Sequence, residues 1–128
     1  MKKALAAAIN ACVAAAQPVP AFLALVSSEP HFLRAALRGA PSAVLLGAGK
    51  ASVGLVAELV AQLRALEVPC AGGVVVTKDG HSDPASSALL ASAGIAVHEA
   101  SHPVPDSRGV AGARAMLDCA RCAPRMQL

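Results

Sequence analysis

The residues best suited to chemistry fall in three short stretches. The first is Val44-Leu45-Leu46-Gly47-Ala48-Gly49-Lys50-Ala51-Ser52. An apolar run there passes through a tight glycine turn into a helix-forming segment. Such a turn aims backbone N–H groups and the positive end of a helix at an anion. Gly47 and Gly49 let the backbone approach a ligand closely, and Lys50 adds a full positive charge. Two familiar motifs do not fit. A P-loop requires glycine at position 44 and serine or threonine at 51, where Val44 and Ala51 stand. A dinucleotide fingerprint requires a third glycine at 52 and an acid closing the next strand. Ser52 and Thr77-Lys78 stand there instead. Gly47 and Gly49 also have a purely structural alternative, which is to let helix and strand pack closely.

The second stretch is Val76-Thr77-Lys78-Asp79-Gly80-His81, at the carboxyl end of an apolar run. Open α/β sheets place ligands at that end of their strands, although the plain reading of the stretch is a solvated turn. The third is His98-Glu99-Ala100-Ser101-His102-Pro103-Val104-Pro105-Asp106. Its two prolines stiffen the loop, which lowers the entropy lost on ordering. His98 and His102 have one carboxylate nearby, too thin a ligand set for a metal, and His98 alternates with strand residues as a structural histidine does.

The elements that position these stretches read as follows. Residues 3–16 form an alanine-rich helix, which Pro18 and Pro20 end. Residues 22–26 form a second helix, and a third starts with Pro30 at its first position and runs to Gly39. The pattern then changes. Residues 43–46, 74–77 and 95–97 are short apolar runs that suit strands buried on both faces. Residues 50–66 carry Val53, Val56, Leu59, Val60, Leu63 and Leu66 on one helical face. Residues 84–93 form a short helix. Asp106 or Ser107 caps a last helix, with Val110, Ala113, Met116 and Leu117 on its apolar side. The order implies a Rossmann-like α/β fold, a parallel sheet flanked by helices, with all three polar loops opening on one sheet edge. The divisions are a helical lead-in at 1–40, a β-α-β-α-β-α core at 41–121, and a tail at 122–128.

Of the 128 residues, 55% are hydrophobic and 2% aromatic, with a net charge of +3. A core of Ala, Val and Leu buries little area per residue, so modest stability is expected without further buried surface. The scattered charge and the scarcity of aromatic side chains argue against nucleic-acid binding. The four cysteines suit reduced thiols in a cytoplasmic protein. Cys119 and Cys122 form a single CxxC with no second knuckle, late in a helical stretch, which suits neither zinc nor redox work. The Met1-Lys2-Lys3 start with its alanine run imitates a signal peptide, but Asn10 interrupts it and an amphipathic helix is the reading adopted. Asn10, Gln17, Pro18 and Pro20 break up the only long uncharged region, so no membrane span is expected.

Taken in order and spacing, Gly-Ala-Gly-Lys-Ala (47–51), Gly-Val-Val-Val-Thr-Lys-Asp-Gly-His (73–81) and Glu-Ala-Ser-His-Pro-Val-Pro-Asp (99–106) resemble the type II glycerate kinases. These are the glycerate 2-kinases of the MOFRL type, also known under the older label hydroxypyruvate reductase. The resemblance runs from about Ala4 to Cys119. It implies phosphorylation of D-glycerate to 2-phosphoglycerate, with ATP and Mg²⁺. It also implies Lys50 as the active-site lysine, in a turn shaped by Gly47 and Gly49. Lys78, His81, His102 and Asp106 complete the implied cleft, and no metal ligand is named. Members of that family continue into a further strand, a Ser-Gly-Gly-Gly-Ser-Ala-Leu segment and a second domain, with the active site between the domains. This sequence closes on Cys-Ala-Pro-Arg-Met-Gln-Leu. The resemblance therefore implies an N-terminal piece that needs a C-terminal domain and is inactive alone. A small-anion-binding module completed by another chain is the first alternative. NAD-dependent reduction of hydroxypyruvate is the second, and the absent third glycine and ribose-binding acid count against it.

Overall fold

The computed structural model describes residues 2–29 and 31–123. The chain divides into two compact units, Met1–Ala36 and Leu37–Leu128. The first is helical: α1 (Lys2–Ala15), α2 (Pro18–Ser28) and α3 (Phe32–Ala36). The prolines at 18 and 20 open α2 instead of merely ending α1, so α2 begins four residues earlier than the expected 22. Proline fits a first helical turn because its missing N–H has no partner to lose there. The expected role of Pro30 lies outside the described residues, and α3 stops at Ala36, short of the expected Gly39. Among the described residues, no single helix is long and apolar enough to cross a membrane. Together α1 and α2 have the length and composition, but they meet at a 57° bend.

The second unit carries the sheet. Strands β1 (Ala43–Ala48), β2 (Cys70–Lys78) and β3 (Ile95–Ala100) are parallel, in the order β1-β2-β3. The α/β reading with a parallel sheet and flanking helices is what the structure shows. Helices α4 (Ser52–Ala65) and α5 (Pro84–Ser92) make the two crossovers, and α6 (Ser107–Cys122) follows β3. Successive right-handed crossovers in one direction put α4 and α5 on the same face. The alternation of β2 places Val75 toward α4 and Val76 toward α6 on the other face.

The core lies between α4, α5 and the sheet. Val53, Val56 and Val60 of α4 meet Val75, Leu90 and Ile95, and all six are almost fully buried. Leu59 and Leu66, expected on the same helical face, are only half-buried, and Ala57 takes a buried place instead.

All three strands are longer than expected, and β3 runs on to Ala100, so that His98, Glu99 and Ala100 lie in the strand and not in the loop after it. β1 continues through Gly47 and Ala48, and β2 begins at Cys70 and takes in Gly72 and Gly73. The pairing is irregular there, since Ala43 faces Cys70 while Leu45 faces Gly73. An extra residue on β2 absorbs the mismatch and presses Gly73 against the Leu45 backbone.

In α6 the expected face is displaced. A Cβ on Gly112 would come within 2.8 Å of Val76 Cγ2, so the helix seats its smallest residues on the sheet. Gly112 is buried and Gly109 half-buried, whereas Val110 and Leu117 are more than half exposed. The helix starts themselves follow simple rules. Asp83 caps α5 by accepting from Ser86 N at 2.8 Å, and Asp106 caps α6 by accepting from Gly109 N at 3.1 Å.

Candidate functional site

The carboxyl ends of the three parallel strands meet in a cleft of about 220 Å³. It is lined by the turn after β1 (Gly49, Lys50), the end of β2 (Val76, Thr77, Lys78), the end of β3 and its loop (Ala100, Ser101, His102), and Gly109. The parallel register makes this convergence obligatory, because Ala48 pairs with Val76 and Val76 with His98.

The turn that carries Lys50 is bolted to β2. Gly49 has φ of +107°, a conformation that strongly favours glycine. Its N–H donates to Val76 O at 3.0 Å. Its carbonyl accepts from Ser52 N at 3.1 Å, Ser52 Oγ at 2.6 Å and Thr77 Oγ1 at 3.2 Å. Ser52 and Thr77 are buried, and their hydroxyls are satisfied by these bonds. The hydroxyl of Ser52 is therefore turned inward and does not cap its own helix. Ala51 stands at the N-cap of α4 with no side-chain cap. The N–H of Ser52 is taken by Gly49 O, so in the first turn of α4 the amides of Val53 and Gly54 are the ones left without an intrahelical partner, directly after the turn that carries the exposed Lys50. The helix begins at Ser52, two residues later than expected, which puts Lys50 in the turn itself.

The structure places the expected residues unequally. Gly49, Lys50, Lys78 and His102 line the cleft. Gly47 does not line it. It lies within β1, where an added Cβ would sit 2.7 Å from Val56 Cγ2, so it serves the close packing of α4. His81 is exposed, with Nδ1 3.3 Å from the carbonyl of Asp79. Asp106 is occupied as the cap of α6 and as a partner of Arg108, whose Nε lies 2.8 Å from its Oδ2. Ser52 and Thr77 were not singled out from sequence, and neither were Ser101 and Gly109. The available signal was a hydroxyl residue at a strand end and another just past a glycine turn.

Three carboxylates around this edge are held below the ordinary range. Hydrogen bonds from Ser86 lower Asp83, a hydrogen bond from Ser82 followed by one from the Gly80 amide lowers Glu99, and the Gly109 amide, aided by Arg108, lowers Asp106. A depressed folded-state pKa stabilises the fold fully above the unfolded value and is lost as pH falls through the folded one. Thermal melts are therefore expected to be flat from about pH 7 to 5 and to drop progressively below about pH 4. The D83N and D106N variants should show a shallower acid drop. Melting temperatures unaffected by pH down to about 2 would contradict this.

Among the described residues, no carboxylate lines the cleft and no cluster of three or more His, Cys, Asp or Glu side chains forms. The side-chain donors are two ammonium groups, an imidazole and the Ser101 hydroxyl, which suit a small oxyanion such as a carboxylate or a phosphoryl group. They do not suit Mg²⁺, which takes carboxylate and water oxygens. A family model described as "Domain of unknown function (DUF4147)" matches residues 4–128. No curated protein and no solved structure matches the chain.

Proposed function

We propose, from the premise that this chain belongs to the DUF4147 family, that it forms one wall of a glycerate 2-kinase active site, for ATP-dependent phosphorylation of D-glycerate to 2-phosphoglycerate. The observation that carries this reading is the Lys50 turn, locked by Ser52 and Thr77 and lining one cleft with Lys78 and His102. The ordered resemblance of the three loops to type II glycerate kinases supports the substrate.

Phosphoryl transfer is mainly positioning and charge stabilisation. The Lys50 ammonium, at the positive end of α4, holds the glycerate carboxylate or the oxygens of the migrating group. Lys78 provides a second positive charge from the end of the neighbouring strand β2, and His102 is the lining side chain suited to take the proton of the attacking hydroxyl. ATP supplies the phosphoryl group. Mg²⁺ is proposed to accompany the nucleotide, with its ligands outside these residues.

Lys50 and His102 are exposed, and an open site of this kind does not exclude water. The reading therefore includes a second domain that closes over the cleft. Two measurements test it. In NMR titrations, D-glycerate should shift the amides of residues 49–52, 77–78 and 101–102, while uncharged glycerol should not. The chain alone should form no 2-phosphoglycerate from ATP and D-glycerate in a coupled assay. Indifference to D-glycerate overturns the substrate assignment, and turnover by the chain alone refutes the half-site.

A further inference from the structure

We infer that Arg108 is a positioning residue, whose guanidinium ties the loop after β2 to the loop after β3 and sets the spacing of the cleft walls that carry Lys78 and His102. This rests on the oxyanion reading above and adds the device that shapes the site.

The geometry is a fork between two loops. Arg108, in the first turn of α6, donates from Nη1 to Asp79 Oδ1 at 2.7 Å and from Nη2 to Asp79 Oδ2 at 2.8 Å. It also donates from Nε to Asp106 Oδ2 at 2.8 Å, with Nη2 at 2.7 Å from the same oxygen. Asp79 directly follows Lys78 on the β2 side. Its own N–H donates to Ala100 O at 3.0 Å, so backbone and side chain bind the two loops at one point. On the other side, Asp106 accepts from Gly109 N at 3.1 Å and from Ser101 N at 3.4 Å. Ser101 and Gly109 both line the cleft. One guanidinium thus links the residue beside Lys78 to the carboxylate that holds Ser101, next to His102.

Two arguments separate this role from general stability. Arg108 and Asp79 are about half exposed and Asp106 is 30% exposed, and ion pairs open to solvent in this way add little to global stability. The charge count also matters: two carboxylates and one guanidinium leave a net charge of −1 beside a site meant for anions. Removing Arg108 would leave two unmasked carboxylates there. A lysine would restore the charge but not the planar fork that spans both partners.

The test uses the 128-residue chain with inorganic phosphate and D-glycerate as probes. R108Q should weaken binding at least about tenfold with a melting temperature within a few degrees of wild type. R108K should remain at least about threefold weaker than wild type. Independently of any ligand, hydrogen exchange at Asp79 and Ser101 should accelerate about tenfold in R108Q, with α4 unchanged. If wild type binds neither probe but exchange at the two loops still accelerates, the positioning role stands and the oxyanion reading fails. If R108K matches wild type in binding and exchange, the fork is unnecessary and the inference is overturned. If R108Q leaves loop exchange at wild-type rates, it is overturned as well.

Discussion

Replacing Lys50 with alanine is expected to abolish most of the affinity of the cleft for D-glycerate and inorganic phosphate. A charge-assisted hydrogen bond contributes roughly 1.5–3 kcal/mol, so K50A should bind about 10- to 150-fold more weakly. The loss should be in binding and not in folding. Lys50 is exposed in the turn, and the bonds that lock that turn come from Gly49, Ser52 and Thr77. Its melting temperature should therefore stay within about 2 °C of wild type. K50R keeps the charge on a longer, planar head and should recover part of the affinity. Calorimetric titration beside a thermal melt separates the two effects. Unchanged affinity in K50A would remove Lys50 from the site and with it the main support for the kinase reading.

The largest effect on stability is expected far from the cleft, at Gly73. A Cβ there would stand 2.0 Å from Leu45 O, 2.9 Å from Leu45 C and 3.1 Å from Leu45 N. All three are backbone atoms of the neighbouring strand, so no rotamer change relieves the clash. G73A must push β1 off β2 where the ladder is already irregular. A cost of about 3 kcal/mol or more follows, enough to lower the melting temperature by roughly 10 °C or to prevent folding. G109A is the matched control. Its new Cβ would meet Ala100 Cβ at 3.5 Å, an ordinary contact, and alanine favours a helix. Circular dichroism melts of the two variants should diverge sharply, and equal stability would show that β1 can shift at little cost.

The sheet and its three converging loops were legible because each rests on a local signal. Short apolar runs alternate with helical periodicity, and parallel strands with short crossovers leave their carboxyl ends together. The fine structure of the site was less legible because it depends on pairings remote in sequence. Thr77 and Gly49 are 28 residues apart and Arg108 and Asp79 are 29 apart, and no periodicity marks either bond. Asp106 shows the ambiguity of residue type: an aspartate after a strand suits both a cleft and a cap, and the free amide of Gly109 decided for the cap. In α6 the pattern put valine and leucine inward, but Gly112 allowed so close an approach that larger side chains were turned away from the sheet. Pro18 was ambiguous in the same way, since a proline that stops one helix is equally suited to start the next.

The alanine at the N-cap of α4 has a thermodynamic consequence. An uncapped helix start carries a standing cost of about 1 kcal/mol. In this fold that cost falls on α4, the helix that supplies Val53, Val56 and Val60 to the core. On the oxyanion reading proposed above, an anion accepting from the remaining first-turn amides of α4 would do the work of the missing cap. Occupancy and folding would then be linked equilibria, so that binding would raise the stability of the core and a better-capped α4 would raise the affinity.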